Sequence, residues 1–198
     1  MVGVAALLIA TKYEEIYPPP VSEFITLTDN VFNRKQILQM EFQILYNLDF
    51  EIQQTSPFRF LERYSKIADL NEETFFLAQY LIELQLLDSK MNQYPPSLLS
   101  SAAIYLALRV MNYDKQLKKG VQQDPYISIW TPQLQQQTGY TSSDLNGCAQ
   151  NYFKLASLIQ RSTLQQVMRK FASPKYKEVS KIMNNMIKRQ NQSTHNQQ

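Results

Sequence analysis

Few side chains in this sequence have the chemistry to act on a substrate, and their spacing argues against it. Catalysis needs a nucleophile with a base, a metal cluster, or paired carboxylates facing one cleft. The adjacent carboxylates Glu14 and Glu15 point in different directions on a helix end, which makes a poor acid–base pair. The single cysteine, Cys148, lies among Gly147, Ala149 and Tyr152 with no activating partner, and reads as a small packing residue. The single histidine, His195, sits in a polar tail, which removes His-based catalysis and most transition-metal sites. Four glycines form no Gly-rich phosphate cradle. The reading is therefore a non-enzyme without metal or small-molecule cofactor.

Two charged residues stand out because their surroundings are apolar. From Met1 to Thr11 the chain carries no charge and is mostly Ala, Val, Leu and Ile; it then turns abruptly to Lys12, Tyr13, Glu14 and Glu15. Small, helix-favouring residues predict a short, slim helix enclosed by others, with Lys12 where it emerges. Pro18, Pro19 and Pro20 forbid its continuation. Glu41 is the only charge between Gln36 and Leu48, in line with Ile37 and Leu45 one turn away on either side. Apolar positions wrap most of that second helix, so it too is expected to be largely enclosed.

Around these residues the chain reads as all-α. Pro20 and Val21 open a short helix through Phe24 and Leu27, and Asn33 with Gln36 has the spacing of a capping box opening a helix to about Asn47. Ser56-Pro57 is a cap followed by proline at the first helical position, and the boundary between two helical series is placed near residue 54. Helices follow over 57–68, from Asn71 to about Leu87, and from Pro96 through the small residues Ser100, Ser101, Ala102, Ala103 and Ala107. The segment from Tyr113 to Trp130, with Gly120 and Pro125, reads as a surface loop.

That last small-residue helix mirrors the opening one. Each leads to a short helix, a polar turn with a capping signal and a second amphipathic helix: ITLTDNVFNRKQILQMEF in the first half, LQQQTGYTSSDLNGCAQNYF in the second. The pattern suggests a duplication.

Composition excludes further classes. A net charge of +3 is too mild to argue nucleic-acid binding, and a lone cysteine fits a reducing compartment. The uncharged run from Met91 to Leu108 contains two prolines, Asn92, Gln93 and three serines, so it is not read as a membrane span. No signal peptide is expected, since no basic region precedes the apolar start and charge follows it directly. Arg169 to Arg189 holds seven basic residues against Glu178 alone; it reads as a solvated helix face in preference to a phosphate-binding patch. The final NQSTHNQQ is expected to be disordered.

The run AALLIATKYEEIYPP, followed by Phe24, by Thr28 to Asn30, and by QILQMEFQILYNLDFEI from Gln36 to Ile52, resembles the second half of the first cyclin box of mitotic (A/B-type) cyclins. LDFEIQQTSPFRFLERY resembles the link into the second cyclin fold, and the likeness extends to about Tyr176. It implies a partial first five-helix box over 1–54, a complete second cyclin fold over 55–172 and a basic helical or disordered tail over 173–198. The chain starts at what would be the third helix of the first box, so the resemblance leads to the expectation of a fragment. The helix bearing the family's substrate-docking patch would be absent, with Leu27 a surviving edge. Pro20 stands where these cyclins commonly have glutamate, a place a helix start accepts.

The resemblance also implies a partner, a cyclin-dependent serine/threonine kinase, and a nuclear and cytoplasmic location. By matching motif, Lys12 and Glu41 would face the kinase and help hold its mobile C helix in the active position; Tyr13, Leu45, Phe50 and Ile52 would supply apolar contact. Two alternatives remain: a nucleic-acid-binding protein related to transcription factor IIB, using Lys170, Lys175 and Lys181, or a helical scaffold indifferent to Lys12 and Glu41.

Overall fold

The computed structural model describes residues 1–53, 55–119 and 129–195. Among them are ten α-helices and two short 3-10 turns, with no strand. The chain divides into two compact units, Met1–Gln54 and Thr55–Gln198.

Unit 1 is built from α1 (Val2–Glu14), α2 (Val21–Leu27) and α3 (Arg34–Asn47). The prolines at 18–20 separate the first two, and α2 begins directly after Pro20. Asn33 accepts from the Gln36 backbone N–H while the Gln36 side chain accepts from the Asn33 N–H, so the expected capping box is formed. Helices α1 and α3 lie side by side with α2 against both. The core they share is small: Leu8, Val21, Phe24 and Ile37, with half-buried Val4, Ile25, Phe32 and Leu38 against it.

This corrects the expectation that α1 and α3 are enclosed. Only Ala5 and Leu8 of α1 are buried, and only Ile37 and Glu41 of α3. Apolar residues do run round both helices, but three helices can cover only one face of each. The remaining faces leave Leu7, Phe42 and Tyr46 exposed within this chain.

Unit 2 is organised around α6 (Pro96–Lys119), which packs against α4 (Pro57–Ile67), α5 (Glu72–Gln85), α8 (Ser142–Ile159) and α10 (Val179–His195). Close approach on so many sides requires small residues, and Ser100, Ser101, Ala102, Ala103 and Ala107 are all fully buried. Ser101 satisfies its hydroxyl by donating to the Ser97 carbonyl at 2.9 Å. Helices α4 and α5 start as expected, with Ser56 capping before Pro57 and Asn71 accepting from the Thr74 N–H. Tyr152 on α8 ties the centre together, its hydroxyl 3.3 Å from both Gln85 Oε1 and the Leu99 carbonyl. A short α7 (Pro132–Thr138) ends at Gly139, whose φ of +76° is the left-handed conformation glycine accepts most readily. Thr141 and Asp144 then form a second capping box.

The expected loop from Tyr113 to Trp130 is corrected at both ends. Helix α6 continues through Lys119, and Trp130 is buried, its indole N–H donating to the Tyr140 carbonyl at 2.8 Å. Residues 120–128 of that loop lie outside the described residues. The stretch from residue 173, expected as a tail, holds α10, which places Val179, Met183 and Ile187 in the unit 2 core at successive helical turns. The helix runs to His195, into the polar stretch expected to be disordered; 196–198 lie outside the described residues. No helix among the described residues is long and apolar enough to cross a membrane.

Candidate functional site

The two charged residues singled out in the sequence meet. Lys12, in the last turn of α1, places its ammonium 2.6 Å from Oε1 of Glu41 on α3. The pairing is uneven: the Glu41 side chain is 11% exposed and that of Lys12 45%. A carboxylate held in an apolar setting needs a partner to offset lost hydration, and Lys12 is its one hydrogen-bond donor among the described residues. Helix α1 brings the ammonium there because Leu8, one turn earlier, is locked into the unit 1 core. Ile37 does the same for Glu41 from one turn earlier on α3. The pair is thus held from below and open above. The ammonium has three donors and uses one, and the second carboxylate oxygen accepts from no described residue.

The apolar candidates are distributed around it unequally. Leu45 follows Glu41 by one turn of α3 and is half-buried. Tyr13, beside Lys12, is half-exposed. Phe50 and Ile52 lie beyond the end of α3, and Phe50 is 60% exposed. The Phe50 N–H donates to the Leu45 carbonyl at 2.9 Å, which binds the turn to the helix. Asp49 and Phe50 have φ of +49° and +58°, and a bulky residue adopts that left-handed conformation only at a cost. No hydrogen bond or ring contact joins Tyr13, Phe50 or Ile52 to the Lys12–Glu41 pair among the described residues.

Sequence reasoning missed Phe42 and Tyr46. The expected enclosure of this helix would cover both, yet both rings are exposed and stack on each other at 5.8 Å, one turn apart on α3. Their i, i+4 spacing beside Glu41 was the available signal. With Leu48, half-exposed, they form an exposed apolar surface on and just after α3.

Elsewhere the reactive groups are inert. Burial pushes the Cys148 thiol up to about 12, leaving it a neutral packing group at ordinary pH. No group of three or more His, Cys, Asp or Glu side chains suited to a metal occurs among the described residues. Of the lysines a nucleic acid would need, Lys170 pairs with Glu83 at 2.8 Å and Lys181 with Glu178 at 2.8 Å.

Comparison with known families follows the division seen in the structure. The family described as Cyclin, N-terminal domain matches residues 1–53, and Cyclin, C-terminal domain matches residues 55–185. The chain belongs to the cyclin family. This cyclin is 33% identical over 180 residues to a G2/mitotic-specific cyclin-B of Drosophila melanogaster, covering 91% of the chain and 33% of that protein. It is 36% identical to the G2/mitotic-specific cyclin-B2 of Gallus gallus over 186 residues, 92% of the chain and 43% of the relative. To Cyclin-A1-1 of Oryza sativa subsp. japonica it is 36% identical, over 91% of the chain and 34% of the relative. The chain thus spans between 33% and 43% of the length of these curated relatives. The all-α cyclin fold expected from the sequence is the fold found.

Proposed function

We propose that this cyclin is a regulatory subunit, itself without catalytic activity, that binds a cyclin-dependent serine/threonine kinase in mitotic control, in nucleus and cytoplasm, and holds the kinase C helix in its active position. The observation that carries the reading is the Lys12–Glu41 pair, anchored by a buried carboxylate and offering unused donors and an acceptor, on a helix that also carries exposed Phe42 and Tyr46 and ends at exposed Phe50. Charged groups pre-positioned on a rigid platform hydrogen-bond the open backbone groups of a mobile partner element with little ordering cost. The aromatic side chains alongside supply the area that desolvates those bonds. Activation is then selection of one kinase conformation: moving it from mostly inactive to mostly active needs about 5 kcal/mol of differential affinity.

The test is co-expression with a mitotic cyclin-dependent kinase, followed by pull-down and histone phosphorylation. Lys12→Glu and Glu41→Lys should each lose binding and activation by about tenfold or more while circular dichroism shows unchanged helix. The charge-swapped double variant restores the ion pair but reverses its polarity, so it should stay inactive. Normal activation by both single variants would overturn the assignment.

A further inference from the structure

The internal repeat carries a second consequence, on unit 2. The opening AALLIATK, residues 5–12, has its counterpart in AAIYLALR, residues 102–109, so Arg109 on α6 stands where Lys12 stands on α1. The two capping boxes fix the partner helix: Glu41 lies eight residues after capping Asn33, and Ala149 eight residues after capping Thr141. By the same register Phe153 matches Leu45. Helices α6 and α8 pack together as α1 and α3 do. The second repeat therefore keeps the cation and replaces the buried carboxylate with a methyl group.

The space this leaves is visible. A cavity of about 340 Å³ opens between α6, α8 and α10, with Leu106, Ala149, Phe153 and Met186 as its apolar lining and Arg109 and Lys154 as its cations. Among the described residues no carboxylate lines it. Arg109 has no acidic partner among the described residues; its guanidinium lies over the Tyr105 ring at 5.6 Å, and the Tyr105 hydroxyl reaches Asn146 Oδ1 at 3.4 Å. The cation is thus oriented by a ring that is itself held, which reduces the ordering needed to bind an anion.

We propose that this cavity is a second docking site, taking a partner peptide that inserts one large apolar side chain and sets a flanking Asp or Glu carboxylate against Arg109. The apolar lining supplies the anchor pocket, and two cations with no opposing acid among the described residues select for negative charge beside it. The carboxylate of the ligand takes the place that Glu41 occupies in the first repeat. The site lies wholly within unit 2 and does not depend on kinase binding.

The experiment titrates the full chain with the acetylated, amidated hexapeptide DDFLEE, its neutral counterpart NNFLQQ, and NNFLQQ carrying a phosphoserine in place of its last residue. Calorimetry reads affinity, and amide shifts locate binding on α6 and α8. Saturable binding of DDFLEE, at least about tenfold tighter than NNFLQQ and weakened about tenfold by Arg109→Gln, is the expected result. Ala149→Glu, which supplies the carboxylate from within, should weaken it as far; exposed Arg109→Gln keeps the test decisive where that variant fails to fold. No saturation up to about 1 mM, equal binding of the neutral peptide, indifference to Arg109→Gln, or binding of the phosphopeptide alone would each overturn the proposal.

Discussion

Helices α1 to α3 and helices α6 to α8 are two renderings of one pattern, and they differ chiefly in cover. Both have a slim Ala-rich first helix, a seven-residue second helix and a capped third. In the second, α4, α5 and α10 close round the pattern, and most of the small residues of α6 vanish from the surface. In the first, the same kinds of residue leave whole faces open, and those faces carry Lys12, Tyr13, Phe42 and Tyr46. Local sequence sets the helices and their caps; burial is set by which neighbours the chain provides. A repeat can therefore keep its geometry while one copy becomes a core and the other a surface.

The largest effect that would break this comparison comes from matched core residues. Ile37 and Leu145 occupy the same position after their capping boxes, and both are fully buried. Truncation to alanine should cost about 2–5 kcal/mol at either site, but the units can absorb it differently. Unit 1 has four buried apolar anchors in its core cluster, whereas Leu145 belongs to a far larger one. Ile37→Ala should therefore abolish hydrogen-exchange protection across α1 to α3 while unit 2 keeps its own. Leu145→Ala should lower the urea midpoint of unit 2 without unfolding it in water. Retained protection of α1 and α3 in Ile37→Ala would show that unit 1 is held by more than its small core.

The comparison also explains what the sequence made legible. Caps were readable because they depend on one or two local hydrogen bonds: Asn33 with Gln36, Ser56 before Pro57, Asn71. Glu41 was readable as a lone charge in an apolar run. Burial was not, since a helix apolar all round reads alike whether its neighbours are present or absent, and α1 and α3 were expected to be enclosed for that reason. Polarity misled at 113–119, where Asp114, Lys115, Gln116 and Leu117 suit an extended α6 as well as a loop. It misled again in α10, where counting charges hid the stripe Val179, Met183, Ile187. Trp130 gave no local signal at all, because its partner is the carbonyl of Tyr140 in the turn after α7.

Alkaline titration would sharpen the contrast in burial, with a smaller effect. Burial raises Cys148 from 9.0 to about 12, so the unfolded chain ionises first. The stability contributed by the neutral thiol is present below pH 9 and is lost as pH climbs toward 12, by about 1 kcal/mol for each unit passed. Buried Tyr80 and Tyr152 are raised above 10.0 by desolvation and add to the loss at higher pH. Between pH 9 and 10, Cys148→Ala should therefore melt with a flatter pH dependence than the parent. Met40 is the counterpart of Cys148 in the first repeat and is half-buried. Moving the thiol there, as Met40→Cys with Cys148→Ala, should not restore the slope. An unchanged slope in Cys148→Ala would remove the thiol as its source.

The smallest effect concerns how the two third helices end. Helix α8 passes into Gln160 at φ −58°, an ordinary right-handed conformation. Helix α3 leaves through Asp49 and Phe50, both at positive φ. A left-handed conformation costs a non-glycine residue about 1–2 kcal/mol, and glycine forfeits part of that relief through its greater freedom in the unfolded chain. Since the Phe50 ring is mostly exposed, little packing offsets the cost. Phe50→Gly should therefore leave unit 1 as stable or about 0.5 kcal/mol more so, read from exchange protection of α3, while kinase binding falls. Opposite movement of the two readouts means that the backbone tolerates strain to present this ring to a partner. A loss of both would mean that Phe50 supports the end of α3, and the contrast with α8 would then be one of packing alone.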